Sequence, residues 1–281
     1  MNQYLFKDKR VMYLYITLFI IMALIGCSSH QTKIAASSGV SFLDMVIFKI
    51  GKADSMLLMA GGKTVLIDSG EDKDGDKVVK YLEENNIDKI DYMILTHFDK
   101  DHVGGVDVII NSVDVGQIIT PNYKRSSKQY REYKNAITAN HKTPKALINT
   151  YTFSAGTAEF TVYPPQKNKY KEENDYSLVV SVKHGNNSFL LTADAVEERL
   201  DELMGHSDIE HTFLKVPHHG KFEANTLEFF SMVKPQFAVI TSARKRNKTV
   251  KALEKLGTKV FVTRNGNVYV KSDGYSISMQ Q

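Results

Sequence analysis

The sequence predicts one layered α/β domain. Three observations carry the prediction: strand-length apolar runs recur from residue 42 to residue 279, segments of helical period fall between them, and Gly or Pro marks many of the joins. A chain of 281 residues, 42% hydrophobic and 24% charged, has ample length for a large core. A domain of about 240 residues is acceptable for this class. The net charge of +4 permits an anionic substrate without arguing for one.

Residues 1–26 read as an export signal, with Lys7, Lys9 and Arg10 before the apolar stretch 11–25. The run Leu24-Ile-Gly26-Cys27 resembles a bacterial lipobox, which implies lipid attachment to Cys27 and cleavage before it. A retained N-terminal membrane anchor is the other reading, although fifteen apolar residues are short for a span. Either one places the domain at the outer face of the cell membrane. Residues 27–41 are small and polar and read as a tether. Cys27 is the only cysteine, so no intramolecular disulfide and no thiolate ligand is available.

The folded domain spans 42–281 and begins with apolar runs at 42–50, 56–59 and 64–67, expected as antiparallel strands. Val78, Val79 and Leu82 give 76–85 a helical face. The strand 90–95 then delivers Thr96-His97-Phe-Asp99-Lys-Asp101-His102-Val-Gly104-Gly105, four potential metal ligands within six residues. Imidazole suits Zn, Mn or Fe, carboxylate oxygen suits the harder of these, and the mixture at this spacing can serve two cations. Further on, 106–110 is the start of a helix and 115–120 a strand.

Residues 122–134 interleave Tyr123, Tyr130 and Tyr133 with Lys124, Arg125, Lys128, Arg131 and Lys134. Such a stretch can hold phosphates and stack bases; a solvated helix with its tyrosines partly on the core is the favoured reading. The basic run Arg244-Lys-Arg-Asn-Lys248 is treated the same way. From Ala158 the pattern is strongly β, with 160–163, then 177–182 and 189–192 joined as a hairpin through His184-Gly-Asn-Asn187. Asp194 follows, suited either to bridge two cations or to cap a helix over 195–203. A third apolar strand ends in Pro217-His218-His219-Gly220. The remainder alternates helix 225–233, strand 237–241, helix 248–256 and a closing meander. His141, His184, His206 and His211 have no supporting context and are expected at the surface.

These motifs resemble the metallo-β-lactamase-fold hydrolases, whose signature His-x-His-x-Asp-His is met by His97, Asp101 and His102, with Asp99 in place of the second histidine. That variant, followed by Val-Gly-Gly, is similar to the hydrolase domain of the bacterial DNA-uptake competence channel (ComEC-like) and its stand-alone relatives. The resemblance extends to Asp54 in the first turn, Asp68 after the third run, Asn174 and Ser177 before the hairpin, Asp194 after it, and the His218-His219-Gly pair. Ala193 and Lys221 stand where those relatives carry Gly and Ser, and their late Gly-His-Pro is absent.

The resemblance implies a four-layer αβ/βα sandwich and two divalent metal ions, Zn or Mn. The ligands it implies are His97, Asp99, Asp101, His102, Asp194 and His218, with Asp101 and His219 serving the reaction. Asp54, Asp68, Asn174 and Ser177 are expected to support the site or touch substrate. Asp68 could equally be an Asx-turn residue, and His218 and His219 could exchange roles. The implied activity is hydrolysis by water shared between the cations, with DNA or another phosphodiester as substrate. An envelope phosphodiester esterase or lactonase is the alternative enzyme, and a lipid-anchored binding protein of the same fold the non-catalytic one. The membrane is engaged through Cys27, and no obligate protein partner is indicated.

Overall fold

The computed structural model describes residues 41–281. The export signal, Cys27 and nearly all of the tether lie outside the described residues. Two mixed β-sheets stack face to face with helices on both outer surfaces, which is the expected four-layer order.

The first sheet starts as an antiparallel meander of β1 (Leu43–Ile47), β2 (Met56–Ala60) and β3 (Lys63–Ile67). It continues with parallel β4 (Lys89–Ile94), β5 (Asp114–Pro121) and β6 (Lys145–Leu147). The second sheet repeats the plan: β7 (Tyr151–Ala155), β8 (Ala158–Tyr163), β9 (Val179–His184) and β10 (Asn187–Leu191) are antiparallel. Parallel β11 (Phe213–Lys215), β12 (Phe237–Ile240) and β13 (Lys259–Val262) complete it. The chain then returns to the first sheet, where β14 (Val268–Ser272) pairs with β1 and β15 (Ile277–Gln280) forms the edge.

Side-chain alternation sets the layers. Along β1, Leu43, Met45 and Ile47 enter the core between the sheets, while Val46 faces the helices. On β10, Phe189 and Leu191 face inward and Leu190 outward. A parallel join needs a crossover, usually helical. Helices α1 (Gly75–Glu84), α3 (Val106–Ser112) and α4 (Lys128–Ala139) accordingly lie on the first sheet, with the single turn α2 (Lys100–Val103) between β4 and α3. Helices α5 (Glu197–Met204), α6 (Thr226–Val233) and α7 (Asn247–Lys255) cover the second. Among the described residues no helix is long and apolar enough to cross a membrane.

Several boundaries differ from expectation for identifiable reasons. Helix α4 begins only at Lys128 because Ser127 caps it, its hydroxyl accepting from the Tyr130 amide at 3.1 Å; residues 122–127 form a loop instead. Helix α5 begins at Glu197, and its first amides are met by Asp175, which accepts from Val196 and Arg199 at 3.1 Å each. Strands β6 and β7 carry too little apolar pattern to announce themselves. His184 and His211, expected at the surface, are buried. His184 sits between Ser272 Oγ at 2.8 Å and Thr157 Oγ1 at 3.0 Å, and His211 pairs with Ser181 Oγ at 2.8 Å.

The paired glycines after the histidine-aspartate run permit close backbone contact. A Cβ at Gly105 would stand 2.6 Å from the Ser69 carbonyl and 2.7 Å from Gly75, so the turn after β4 lies directly on the turn after β3. Gly105→Ala should therefore lower stability by about 2 kcal/mol, the usual cost of overpacking a filled interior. Urea unfolding of the two proteins measures it.

Candidate metal centre

The site lies where strand ends from both sheets meet. From the first sheet, the end of β3 supplies Asp68, and the end of β4 supplies Thr96 through His102. From the second, β10 supplies Asp194, β11 supplies Lys215 and His219, and β12 supplies Thr241. Donor atoms of Asp101, His102, Asp194 and His219 all lie within 4.8 Å of one another, and all four residues are buried. Asp54, Asp68 and His102 form an adjoining group on the same criterion.

Each histidine of the centre has its Nδ1 engaged. His102 Nδ1 lies 2.8 Å from Asp68 Oδ2, and because a carboxylate only accepts, the ring donates there. His219 Nδ1 donates to the Thr241 carbonyl at 3.0 Å. Thr96 gives its hydroxyl proton to Asp68 Oδ2 at 2.7 Å and so accepts from His97 Nδ1 at 3.1 Å. The Nε2 atoms of His97, His102 and His219 are buried with no hydrogen-bond partner, as is Asp194 Oδ1. Three imidazole Nε2 atoms with their other nitrogens tied, beside a bare carboxylate oxygen, suit divalent cations. The residues present therefore fit the implied metals.

Supporting contacts set this geometry. Asp68 also accepts from the Thr96 amide at 2.8 Å, so one carboxylate holds both the start of the metal loop and the His102 ring. Buried Asp54 pairs with the ammonium of Lys215, which also donates to the Ala193 carbonyl at 2.8 Å and stands 3.7 Å from Asp194 Oδ1. The Thr96 carbonyl accepts from the Leu178 amide at 2.9 Å, joining the metal loop to the second sheet. Asp68, Ala193, His218 and His219 all take positive φ (58°, 49°, 46° and 50°), four of the eight such non-glycine residues described, so backbone strain concentrates at the site.

Electrostatics follow the packing. Burial alone would raise Asp54 and Asp194, yet Lys215 and His219 for the first, and His219 and His102 for the second, hold both carboxyls below the usual range. Burial would likewise raise Asp101, which His219 and His102 also bring down. His102 is raised despite burial, by Asp194 and Asp68. His219 is raised to about 10 against burial, by Asp194 and Asp54. His97 moves the other way, pushed down by burial and by neighbouring His102.

Not every expected residue joins the cluster. Of the adjacent histidines, His219 lies in the cluster and His218 does not. His219 reaches Asp194 at 3.1 Å and Asp101 at 3.4 Å, whereas His218 Nε2 is 4.0 Å from Asp194. His218 instead lines a cavity of about 220 Å³ with Asn174 and Glu223, its Nε2 3.3 Å from Asn174 Nδ2. Asp99 also stands outside the group; its carboxylate pairs with Arg125. Ser177 has a buried, unpartnered hydroxyl. The helix-cap alternative for Asp194 gives way to Asp175. Reading the sequence alone passed over Thr96, Thr241 and Lys215. Lys215 had a usable signal, a lysine inside the apolar strand Phe213-Leu214-Lys215-Val216. In the 122–134 stretch the tyrosines surround Phe98, with ring centroids 5.0, 4.7 and 5.7 Å away, so they are packing groups.

The profile of the metallo-beta-lactamase superfamily matches residues 50–242. The chain belongs to that superfamily. With its buried cluster of Asp101, His102, Asp194 and His219, it is a metal-dependent hydrolase of that superfamily. Among curated proteins it is 28% identical over 200 residues to Recombination protein 2 of Haemophilus influenzae, covering 69% of this chain and 24% of the relative. It is also 28% identical over 225 residues to ComE operon protein 3 of Bacillus subtilis, covering 73% and 29%. The chain thus spans less than a third of the length of these relatives. Two solved structures share the fold: the metallo-beta-lactamase fold protein YhfI of Bacillus subtilis and the metal-dependent hydrolase Tm1679. Their TM-scores are 0.56 and 0.55 at 12% identity, covering 79% and 82% of this chain and 98% of each of theirs.

Two outcomes test the electrostatics of this metallo-β-lactamase centre. With His102 and His219 both raised, cation binding at pH 7 should expel about two protons, seen as a buffer-dependent calorimetric enthalpy. In the chelated protein, stability from His219 is complete below its ordinary 6.5 and lost as pH rises toward about 10. Stability from Asp54, Asp101 and Asp194, all lowered, is lost on acidification below their usual range. Urea midpoints should therefore peak between about pH 5 and 7.

Proposed function

We propose that the domain is a dinuclear phosphodiesterase, nuclease-like in its substrate, held at the outer face of the cell membrane by lipid on Cys27. The observation that carries the reading is the convergence of His102 and His219 Nε2, from two separate sheets, on Asp194 at 3.3 and 3.1 Å, with the bare Nε2 of His97 beside His102. The likeness to Recombination protein 2 and to ComE operon protein 3 supports a phosphodiester such as DNA. Exposed Lys124, Lys221, Arg244 and Lys248 supply positive charge for a polyanion. The export-signal and lipobox pattern supports the location.

His102, Asp101, Asp194 and His219 would hold one cation; His97 and Asp99, sharing Asp194, would hold the second. Once bound, the cations supply Lewis acidity and an acidified water, and the mixed oxygen and nitrogen donors suit Mn as well as Zn. Asp68, Thr96 and Thr241 fix the imidazole orientations, and Lys215 keeps Asp54 and Asp194 in place from below. His218, at the cavity wall beside Asn174 with Glu223 3.4 Å from its Nδ1, is placed to donate a hydrogen bond to the leaving oxygen. His219, which the sequence offered for that step, instead faces the donor cluster, its Nδ1 held by Thr241 and its Nε2 3.1 Å from Asp194.

Cleavage of single- and double-stranded DNA and of bis-nitrophenyl phosphate, with Zn or Mn supplied, tests the proposal. Asp194→Ala and His219→Ala should each lower turnover at least about 100-fold, and His218→Ala should lower kcat by about 10- to 100-fold with metal content retained. Cleavage of the small diester without DNA would replace the nuclease reading by an envelope esterase. Absence of turnover with metal bound would leave a binding protein.

A further inference from the structure

Asp99 is tied up by the protein's own cation. Its carboxylate pairs with one nitrogen of Arg125, and the other nitrogen of that guanidinium pairs with Glu173. The loop that carries Arg125 is anchored on both sides. Tyr123 stacks on Tyr176 at 4.6 Å, and its hydroxyl accepts from the amide of Phe98, which lies between His97 and Asp99, at 2.8 Å. A planar guanidinium held in two carboxylates is a strong and oriented arrangement.

The two halves of the centre are therefore unequal. Asp101, His102, Asp194 and His219 form a complete buried donor set; the ammoniums beside its carboxylates are half-exposed Lys52, 3.1 Å from Asp101, and Lys215, 3.7 Å from Asp194 and already paired with Asp54. On the other side His97 offers a bare Nε2, but Asp99 is already neutralised. We propose that Arg125 makes cation loading stepwise. The Asp101 side fills first, and the Asp99 side fills only as Arg125 gives up Asp99.

The inference rests on the dinuclear hydrolase reading and adds a link between cation and substrate. A phosphate oxygen offers the guanidinium a replacement acceptor, so an anionic ligand and the second cation favour each other's binding, and the coupling is reciprocal. The chain would accordingly hold its second cation best when a phosphodiester is present.

Titration of the chelated full chain with Mn²⁺, following free Mn²⁺ by electron paramagnetic resonance, decides it. Wild type should show two steps, the second weaker by at least about tenfold, and inorganic phosphate should tighten only the second. Arg125→Ala should strengthen the second step by about tenfold, leave the first unmoved and abolish the phosphate effect. Asp99→Ala should remove the second step alone. Equal steps in wild type, or an unchanged second step in Arg125→Ala, would overturn the inference while leaving the hydrolase reading intact. Failure to bind any divalent cation would overturn both. Should Arg125→Ala not fold, the phosphate effect in wild type and its loss in Arg125→Lys carry the decision.

Discussion

The structure turns on a local excess of buried negative charge. Asp54, Asp68, Asp101 and Asp194 meet at the junction of two sheets with one buried ammonium, Lys215, among them. Uncompensated charge of that kind is costly in a protein interior. Protons on His102 and His219 offset it in the metal-free chain, and divalent cations offset it more fully. The raised His102 and His219, the lowered Asp54, Asp101 and Asp194, and the bare donor atoms are three expressions of one imbalance.

Building that imbalance takes backbone that would not form spontaneously. Four site residues hold left-handed conformations, the non-glycine Ala193 among them. The strain is tolerated because each position is pinned by partners. Asp68 holds Thr96 and His102, the Ala193 carbonyl accepts from Lys215 and from the His218 amide, and His219 is fastened to Thr241. Rigid strands supply the positions, and short turns aim the side chains.

Much of the fold was legible because strand alternation and helical period are local signals. The antiparallel opening, the β9–β10 hairpin and helices α1, α6 and α7 were all readable from them. Less legible was whatever depends on residues distant in sequence. Asp175 caps a helix some twenty residues away, Ser272 and Thr157 bury His184, and Lys215 serves Asp54 from the opposite sheet. The density of ligand types in 97–102 made the centre visible, as did Asp194 at a strand end. The order of the two adjacent histidines was not, because it depends on the left-handed turn at 218–219, which rotates one ring inward and the other toward the cavity.

The donors are drawn from both sheets, since His102 and Asp101 follow β4 whereas Asp194 and His219 follow β10 and β11. An ion gripped by all four is a clasp across the seam of the sandwich. By mass action, anything that binds the folded state alone stabilises the whole fold. Durability and cation occupancy would then rise and fall together, and chelation would loosen the fold as it empties the centre.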